Sequence, residues 1–409
     1  MAKLVDNLMF DNIIGQERIV ERLRMELLQG LLPKSLLFVG ENFSGRLTTA
    51  FELARIVTCK NDGVWKCGCS HCKQQRLLYH PKLIYLGHRN FMLEIRAALA
   101  FCQRSSDDYI ARLMLLRSVN KLISRFNIVV SAALEDRIKK VAKSLSTLKE
   151  LTVGLYKEDM DFQSILTNDW CENLLKHCQK IEEALPKKIS VEEIRAINVW
   201  AHSCGNDPRV VIIEGVDDLN LSCANALLKI LEEPPKGLVF VLLATRRGAV
   251  LPTILSRSRI YDFENRITAL QQEVISQIFR EKDFGIYQSV KEYLYGVSGI
   301  KIKEYQRAAQ FVLSQIVDGQ SYPQINMEEV LTLSGTKTGF ELFLEQLSFV
   351  ISNLEWDKSD YITPLNVLTN WNNYIREALI MNKAYNQKPE SLLESLFYRM
   401  RKASRLTSS

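Results

Sequence analysis

The sequence lacks the apolar segments that carry proteins into or across membranes. No stretch approaches the roughly 18 uninterrupted apolar residues of a spanning helix, and the first residues contain no apolar core followed by a small-residue cleavage site. Proline is scarce, with 10 residues in 409, and neither a repeat nor a low-complexity tract occurs. With 47% hydrophobic and 24% charged residues, the composition is that of a folded protein, which we expect in the cytoplasm.

Strong net charge and the signatures of common catalytic centres are absent as well. The net charge of +6 is mild for this length, so it permits an acidic partner such as nucleic acid without requiring one. No Ser-His-Asp arrangement, no paired carboxylates and no cluster of metal-binding carboxylates on strands is recognisable, which argues against the usual hydrolase and polymerase centres. The nine cysteines are an odd number in a chain without an export signal, so we expect reduced thiols.

Three short apolar runs predict buried parallel strands, at 35–40 (SLLFVG), 209–216 (RVVIIEGV) and 238–245 (LVFVLLAT). A glycine-containing loop and a helical pattern at 47–59 follow the first run, and a helical pattern at 223–233, closed by two prolines, follows the second. Strands that alternate with helices predict a parallel sheet covered by helices.

The remaining chain has helical periodicity. We interpret 88–186 as a helical insertion, and we expect a small helical domain at 264–320 and a larger one at 321–409.

The stretch GENFSGRLTTA has the glycine spacing of a phosphate-binding loop without its full chemistry. Gly40 and Gly45 would let backbone N–H groups turn toward a phosphate at a helix N-terminus. Arg46 replaces the usual lysine and presents a planar fork in place of a compact ammonium. Leu47 replaces the hydroxyl residue that binds magnesium, and Thr48 lies one position late, turned about 100° away around the helix.

The second predicted strand also departs from the pattern of ATPases that have a phosphate-binding loop, which carry a pair of acidic residues at the end of this strand. It ends in Glu214-Gly215 in place of Asp-Glu, and glycine cannot polarise an attacking water. We interpret Asp217 and Asp218 as loop or helix-start residues rather than replacements. Two losses at one site predict lost hydrolysis, while nucleotide binding without hydrolysis stays open.

Four cysteines, Cys59, Cys67, Cys69 and Cys72, fall within 14 residues. Four thiolates can bind one tetrahedral zinc ion and close a small knob that has too little core to fold alone. We therefore predict a structural zinc site. His71 or His80 is an alternative to one of the cysteines.

Several stretches together resemble the clamp-loader branch of the AAA+ superfamily, the bacterial DNA polymerase III gamma/tau and delta-prime subunits. The resemblance covers roughly 8–88 and 187–263, without the helical insertion. Gamma/tau subunits of the family hold intact ATP loops and delta-prime subunits have degenerate ones, so the altered loop favours the delta-prime type. The stretches that carry the resemblance are FDNIIGQERIVERLRMELLQG, SLLFVGENFSGRLTTA, CKNDGVWKCGCSHC, KISVEEIRAI, NALLKILEEPP and LPTILSRSRIYDF.

The resemblance implies a fold and an arrangement of domains. The fold would be a P-loop (RecA-like) α/β parallel-sheet AAA+ domain over 1–263, with a zinc knob at 59–72 and the insertion at about 88–186. A small helical lid domain at 264–320 and a C-terminal helical collar domain for oligomerisation at 321–409 would follow.

The resemblance also implies a function. The chain would be a non-hydrolysing subunit of a hetero-oligomeric clamp loader in the bacterial replisome, with gamma/tau and delta subunits, the sliding clamp and primed DNA as partners. Arg257, within Ser256-Arg257-Ser258, would be an arginine finger for ATP held by a neighbouring subunit, and Thr245 would stand at a sensor position. Two alternatives stay open: an ATP-hydrolysing gamma/tau-type subunit, and a zinc-stabilised binding module that no longer works in the replisome.

Overall fold

The structure is a computed structural model that describes a large part of the chain as two units. Chain contacts divide the protein into Met1–Ser298 and Gly299–Ser409. The expected boundary between 320 and 321 lies outside the described residues, and the boundary at 263 stays a prediction. The described residues are 9–157, 161–203, 205–318, 322, 327–335, 337–353, 365–385 and 387–405.

The first unit contains a five-stranded sheet in which every pairing is parallel. Its order is β2-β3-β4-β1-β5, so the three predicted strands form the centre and are confirmed. The two outer strands, β2 and β5, were not predicted. The strands are β1 Ser35–Val39, β2 Leu83–Leu86, β3 Arg209–Glu214, β4 Leu238–Ala244 and β5 Arg259–Asp262.

Helices cover both faces of the sheet, because alternate side chains of each strand point to opposite sides. The helices of the first unit are α1 Glu17–Leu28, α2 Arg46–Thr58, α3 Ser70–Arg76, α4 Phe91–Arg104, α5 Tyr109–Ile123, α6 Glu135–Thr152, α7 Phe162–Ile165, α8 Asn168–Ala184, α9 Val191–Ser203, α10 Leu221–Glu232, α11 Pro252–Leu255, α12 Thr268–Ile278 and α13 Val290–Val297.

Two hydrophobic cores result from this layering. Leu36 and Phe38 of β1 belong to the core that also contains residues of α2 and of α4–α6 and α8. Leu37 and Val39 belong to the core with residues of α9 and α10 on the other face. The helices within 88–186 therefore pack in the same core as the sheet.

The described part of the second unit is helical, as its periodicity predicts. Its core includes Trp371, whose indole Nε1 donates to the Met400 carbonyl oxygen at 2.9 Å. Across the described residues, no helix has the length and apolarity that crossing a bilayer would need. The helices are α14 Ile302–Val317, α15 Glu328–Ser334, α16 Lys337–Ser352, α17 Leu365–Tyr385 and α18 Pro389–Arg405.

Candidate functional site

The two glycines of the phosphate loop are favoured by the packing and the backbone conformation of the chain itself. Gly40 follows β1, and a Cβ atom there would lie 2.8 Å from the Cβ of Phe263. Gly45 has φ of 99° and precedes α2, and a Cβ there would overlap the Arg266 guanidinium. The loop shape expected from the sequence is therefore present, but its glycines do not by themselves indicate a bound phosphate.

Arg46 and Leu47 both point into the protein. Arg46 is 4% exposed, and its Nη2 donates to Asn42 Oδ1 at 2.9 Å. Among the described residues, its buried Nη1 has no hydrogen-bond partner. Burial lowers the pKa of Arg46, although the charges of Glu214 and Asp217 oppose this shift. Leu47 lies in the core that contains Phe38.

Thr48, the hydroxyl residue that stands one position late, is exposed. The next residue, Thr49, is fully buried, and its hydroxyl donates to the Gly45 carbonyl oxygen at 3.1 Å. Neither hydroxyl replaces the magnesium-binding hydroxyl that an intact loop carries at the position of Leu47.

The acidic strand end is surrounded by groups of the protein. Glu214, the last residue of β3, accepts a 2.6 Å hydrogen bond from the buried Tyr85 hydroxyl. Burial and the Glu214 charge raise the pKa of Tyr85. Gly215 has φ of 80° with open space at its Cβ position, so the backbone conformation, rather than crowding, favours glycine there.

Asp217 has a role that sequence reasoning missed. It lies in the 3₁₀ turn Val216–Asp218, as a loop or helix-start residue should. Its Oδ2 accepts hydrogen bonds from the Thr245 backbone N–H at 2.9 Å and from the Thr245 hydroxyl. Thr245 follows β4 directly beside the loop, because the Gly40 N–H donates to the Ala244 carbonyl oxygen at 3.1 Å.

A second group of contacts stabilises the phosphate loop through Arg266 and Gln16. In the sequence, only the stretch Ile14-Gly15-Gln16 indicates these contacts. Arg266 donates to the carbonyl oxygens of Ile14 and Phe43 at 2.8 and 2.7 Å. Gln16 Nε2 donates to the carbonyl oxygens of Ser44 and Glu264 at 3.0 and 2.8 Å. The loop is thus held by residues that lie far away in the sequence.

Arg257 is separate from this site. It follows α11, and its side chain is 35% exposed. Its Nη2 contacts Glu232 Oε1, at the end of α10, at 2.6 Å. Within the part of the chain that the structure describes, no hydrogen bond or ion pair links it to the loop.

The four clustered cysteines meet at one place. Their sulfur atoms all lie within 4.8 Å of one another, and Cys59 Sγ is 3.6 Å from Cys67 Sγ and 3.9 Å from Cys69 Sγ. A tetrahedral zinc ion with bonds of about 2.3 Å requires sulfurs about 3.8 Å apart. The four thiols therefore fit a metal ion, although Cys67 and Cys69 are spaced more tightly than the usual pair.

Each sulfur of the cysteine cluster also accepts an N–H group. Two come from Asn61, whose backbone N lies 3.4 Å from Cys59 Sγ and whose Nδ2 lies 3.5 Å from Cys67 Sγ. The Cys72 N–H donates to Cys69 Sγ at 3.4 Å, and Arg55 Nη1 donates to Cys72 Sγ at 3.0 Å. Such donors suit thiolates better than neutral thiols, which accept hydrogen bonds weakly.

The histidine alternative to a cysteine ligand finds no support in this geometry. His80 Nε2 lies 2.9 Å from His71 Nδ1, so the two rings pair with each other. Burial lowers the pKa of His80 to about 4, with smaller effects from His71 and Lys82. The convergent donor set consists of the four cysteines.

Comparison with known proteins identifies the family. The family model described as DNA polymerase III, delta subunit, matches residues 15–126 and 158–266, together more than half of the chain. This chain belongs to the DNA polymerase III delta subunit family. The match is wider than the resemblance expected from the motifs, since it includes 88–126 and resumes at 158. Residues 127–157 lie between the two matched ranges.

The individual relatives to which this chain is similar are delta-prime and gamma/tau subunits, the type that the sequence predicts. The chain is 40% identical over 78 residues to the DNA polymerase III subunit delta′ of Haemophilus influenzae, which covers 19% of this chain and 24% of the relative. It is 28% identical over 127 residues to the gamma/tau subunit of Mycobacterium bovis, covering 31% and 21%. The aligned parts thus span about a quarter or less of these relatives.

A solved structure of a DNA polymerase III gamma subunit-related protein from Thermotoga maritima aligns with 60% of this chain and 92% of its own. The TM-score of this alignment is 0.30, at 17% sequence identity.

Proposed function

We propose that this family member is a non-hydrolysing subunit of a DNA polymerase III clamp loader. In this role it helps to place the sliding clamp on primed DNA and donates Arg257 to ATP held by a neighbouring ATPase subunit. Its partners are gamma/tau and delta subunits, the clamp and the DNA, within a hetero-oligomer.

The observation that carries the proposal is the burial of Leu47. A magnesium ion requires oxygen ligands in near-octahedral geometry, and the residue at the hydroxyl position packs instead into the sheet core. Glu214, at the strand end where the acidic pair would stand, is followed by glycine and hydrogen-bonded to Tyr85. Two of the parts that a magnesium-dependent ATPase needs are therefore replaced, one by the core side chain of Leu47 and the other by Gly215.

Arg257 has the chemistry and the accessibility that an arginine finger needs. A guanidinium stays charged and can bind two phosphate oxygens at once. Its ion pair with Glu232 must break before it reaches a neighbour's γ-phosphate, but an exposed pair of this kind contributes only about 0–1 kcal/mol. The contact with Glu232 is thus no obstacle to the proposed role.

Zinc completes the proposal as a structural ion. Cys59, Cys67, Cys69 and Cys72 would hold it, and four protein ligands leave no open position for catalysis. The ion would order the segment between α2 and α3.

A second candidate is an ATP-hydrolysing subunit, favoured by the similarity to gamma/tau relatives. In that case Arg46 would replace the catalytic lysine and Glu214 would act on the nucleotide. A radiolabelled ATP assay on the purified chain separates the two candidates. We expect no magnesium-dependent turnover above background, and turnover by the isolated chain would favour the second candidate. Affinity purification of the tagged chain must also recover clamp-loader ATPases, because their absence would favour a binding module outside the replisome.

A further inference from the structure

Arg55 is a buried charge that reaches the cysteine cluster from a neighbouring element. It lies in α2, the helix that begins at the phosphate loop, and its side chain is 1% exposed. Its Nη1 donates to Cys72 Sγ at 3.0 Å, while its Nη2 donates to the Gly63 carbonyl oxygen at 2.7 Å. One guanidinium thus joins a predicted metal ligand to the loop that carries the cluster.

Glu52 neutralises this arginine from one turn earlier in α2. Its carboxylate is buried and accepts from Arg55 Nε at 3.0 Å and from Nη2 at 2.6 Å. The Nε and Nη2 edge of the fork is therefore satisfied by oxygen atoms. The Nη1 side points at sulfur.

Sulfur is a poor partner for a buried guanidinium unless it carries charge. A neutral thiol accepts hydrogen bonds weakly, whereas a buried charged donor without a good acceptor destabilises the fold. A metal-bound cysteine is a thiolate, and a zinc ion with four thiolates has a net charge of about −2. Of the N–H donors described above for the cysteine cluster, the Arg55 guanidinium is the one with a positive charge.

Arg76 adds a second cation at the same knob. Its Nη1 donates to the Cys67 carbonyl oxygen at 2.8 Å, and its guanidinium lies over the Trp65 ring, 5.1 Å from the centroid. It contacts the backbone rather than a sulfur atom, so it orders the loop without acting on a ligand. Of these two arginines, Arg55 is therefore the one that contacts a ligand sulfur atom and connects it to α2.

We propose that Arg55 is a positioning residue for the zinc centre: it orients the Cys72 sulfur atom and ties the metal knob to α2. This inference rests on the proposed zinc site. Groups that orient metal ligands in this way typically change metal affinity by about 10–100-fold when they are removed.

The test compares zinc affinity in folded full-length variants. Zinc content is measured by elemental analysis, and affinity by competition with a chromophoric chelator, for wild type, Arg55→Gln and Arg55→Lys. The matched control is Arg125→Gln, because Arg125 is also 1% exposed and pairs at 3.1 Å with the buried Glu193, outside the cysteine cluster. Cobalt substitution adds a spectroscopic readout of the thiolate ligands.

We expect Arg55→Gln to lower zinc affinity about 10–100-fold and Arg55→Lys to lower it less, with an altered thiolate-to-cobalt absorption band in both. Arg125→Gln should keep wild-type affinity even though it loses a buried ion pair. The inference is overturned if Arg55→Gln binds zinc like wild type, or if Arg125→Gln loses affinity equally. If Arg55→Gln yields no folded protein, unchanged affinity and cobalt spectrum in Arg55→Lys overturn it. A folded wild-type chain without zinc would instead refute the proposed metal site itself.

Discussion

Replacing Leu47 by threonine restores the hydroxyl that a magnesium-binding loop needs and removes a core side chain. The hydroxyl residue would then follow Gly45-Arg46 directly, in the usual order. Because Leu47 is 8% exposed and packs in the core with Phe38 and Phe51, we predict that Leu47→Thr destabilises the protein and does not create an ATPase.

The magnitude follows from two losses. Removing buried methyl groups of leucine leaves a partly unfilled space, and truncations of this kind cost about 2–5 kcal/mol when the side chain is cut back to alanine. Threonine keeps part of the volume but places a hydroxyl in an apolar site, at about 1–3 kcal/mol if it finds no partner. We expect a total of about 3 kcal/mol, which corresponds to a thermal midpoint lower by about 5 °C for a unit of this size.

The assay is thermal unfolding followed by circular dichroism, together with magnesium-dependent ATP binding by calorimetry. Thr48→Ser is the control, since Thr48 lies next along α2 and is exposed; its midpoint should stay within about 1 °C of wild type. Should Leu47→Thr keep wild-type stability and bind ATP with magnesium, position 47 would face a preformed metal site, and our reasoning about lost hydrolysis would be wrong.

Three further predictions concern other parts of the chain. Chelation of zinc should increase protease cleavage within 59–80, and an unchanged cleavage pattern would count against a structural ion. Burial favours protonated Glu94, but Arg89 and Lys121 lower its pKa to about 2, so the ionised carboxylate stabilises the protein above the ordinary carboxyl pKa of about 4.5 and this contribution is lost as the pH falls toward 2. The difference in unfolding free energy between wild type and Glu94→Gln should therefore shrink from about pH 6 to pH 3, and a constant difference would contradict this prediction. Trp371→Phe should destabilise the second unit by about 1–2 kcal/mol, by loss of the indole hydrogen bond and of packing volume, without changing zinc content; an unchanged urea midpoint would refute this.

Sequence reasoning found the elements whose signals are local. The central strands are continuous apolar runs because both faces of a parallel sheet are buried. The outer strands escaped it for physical reasons: β2 is an apolar run of only four residues, too short to distinguish from a helix, and β5 carries the exposed Arg259 and Asp262 at the sheet edge.

At the candidate site as well, features with a local sequence signal could be predicted and features that depend on tertiary packing could not. The cysteine cluster could be predicted because its ligands lie close together in the sequence. The contacts of Gln16 with Glu264 and of Arg55 with Cys72 could not, since they depend on how distant or separate elements pack. Asp217 was placed correctly in a turn, but its bonds to Thr245 depend on the neighbouring strand.

The role of Arg257 is tested most directly by ATP turnover of the reconstituted complex. The complex would contain either the wild-type chain, Arg257→Ala or Arg257→Lys, with equal assembly verified by size-exclusion chromatography. We predict that the chain alone has no turnover and that Arg257→Ala slows hydrolysis at the neighbouring site by about 10³-fold or more, with little rescue by lysine. Normal turnover in the assembled Arg257→Ala complex, or turnover by the isolated chain, would contradict the proposed function.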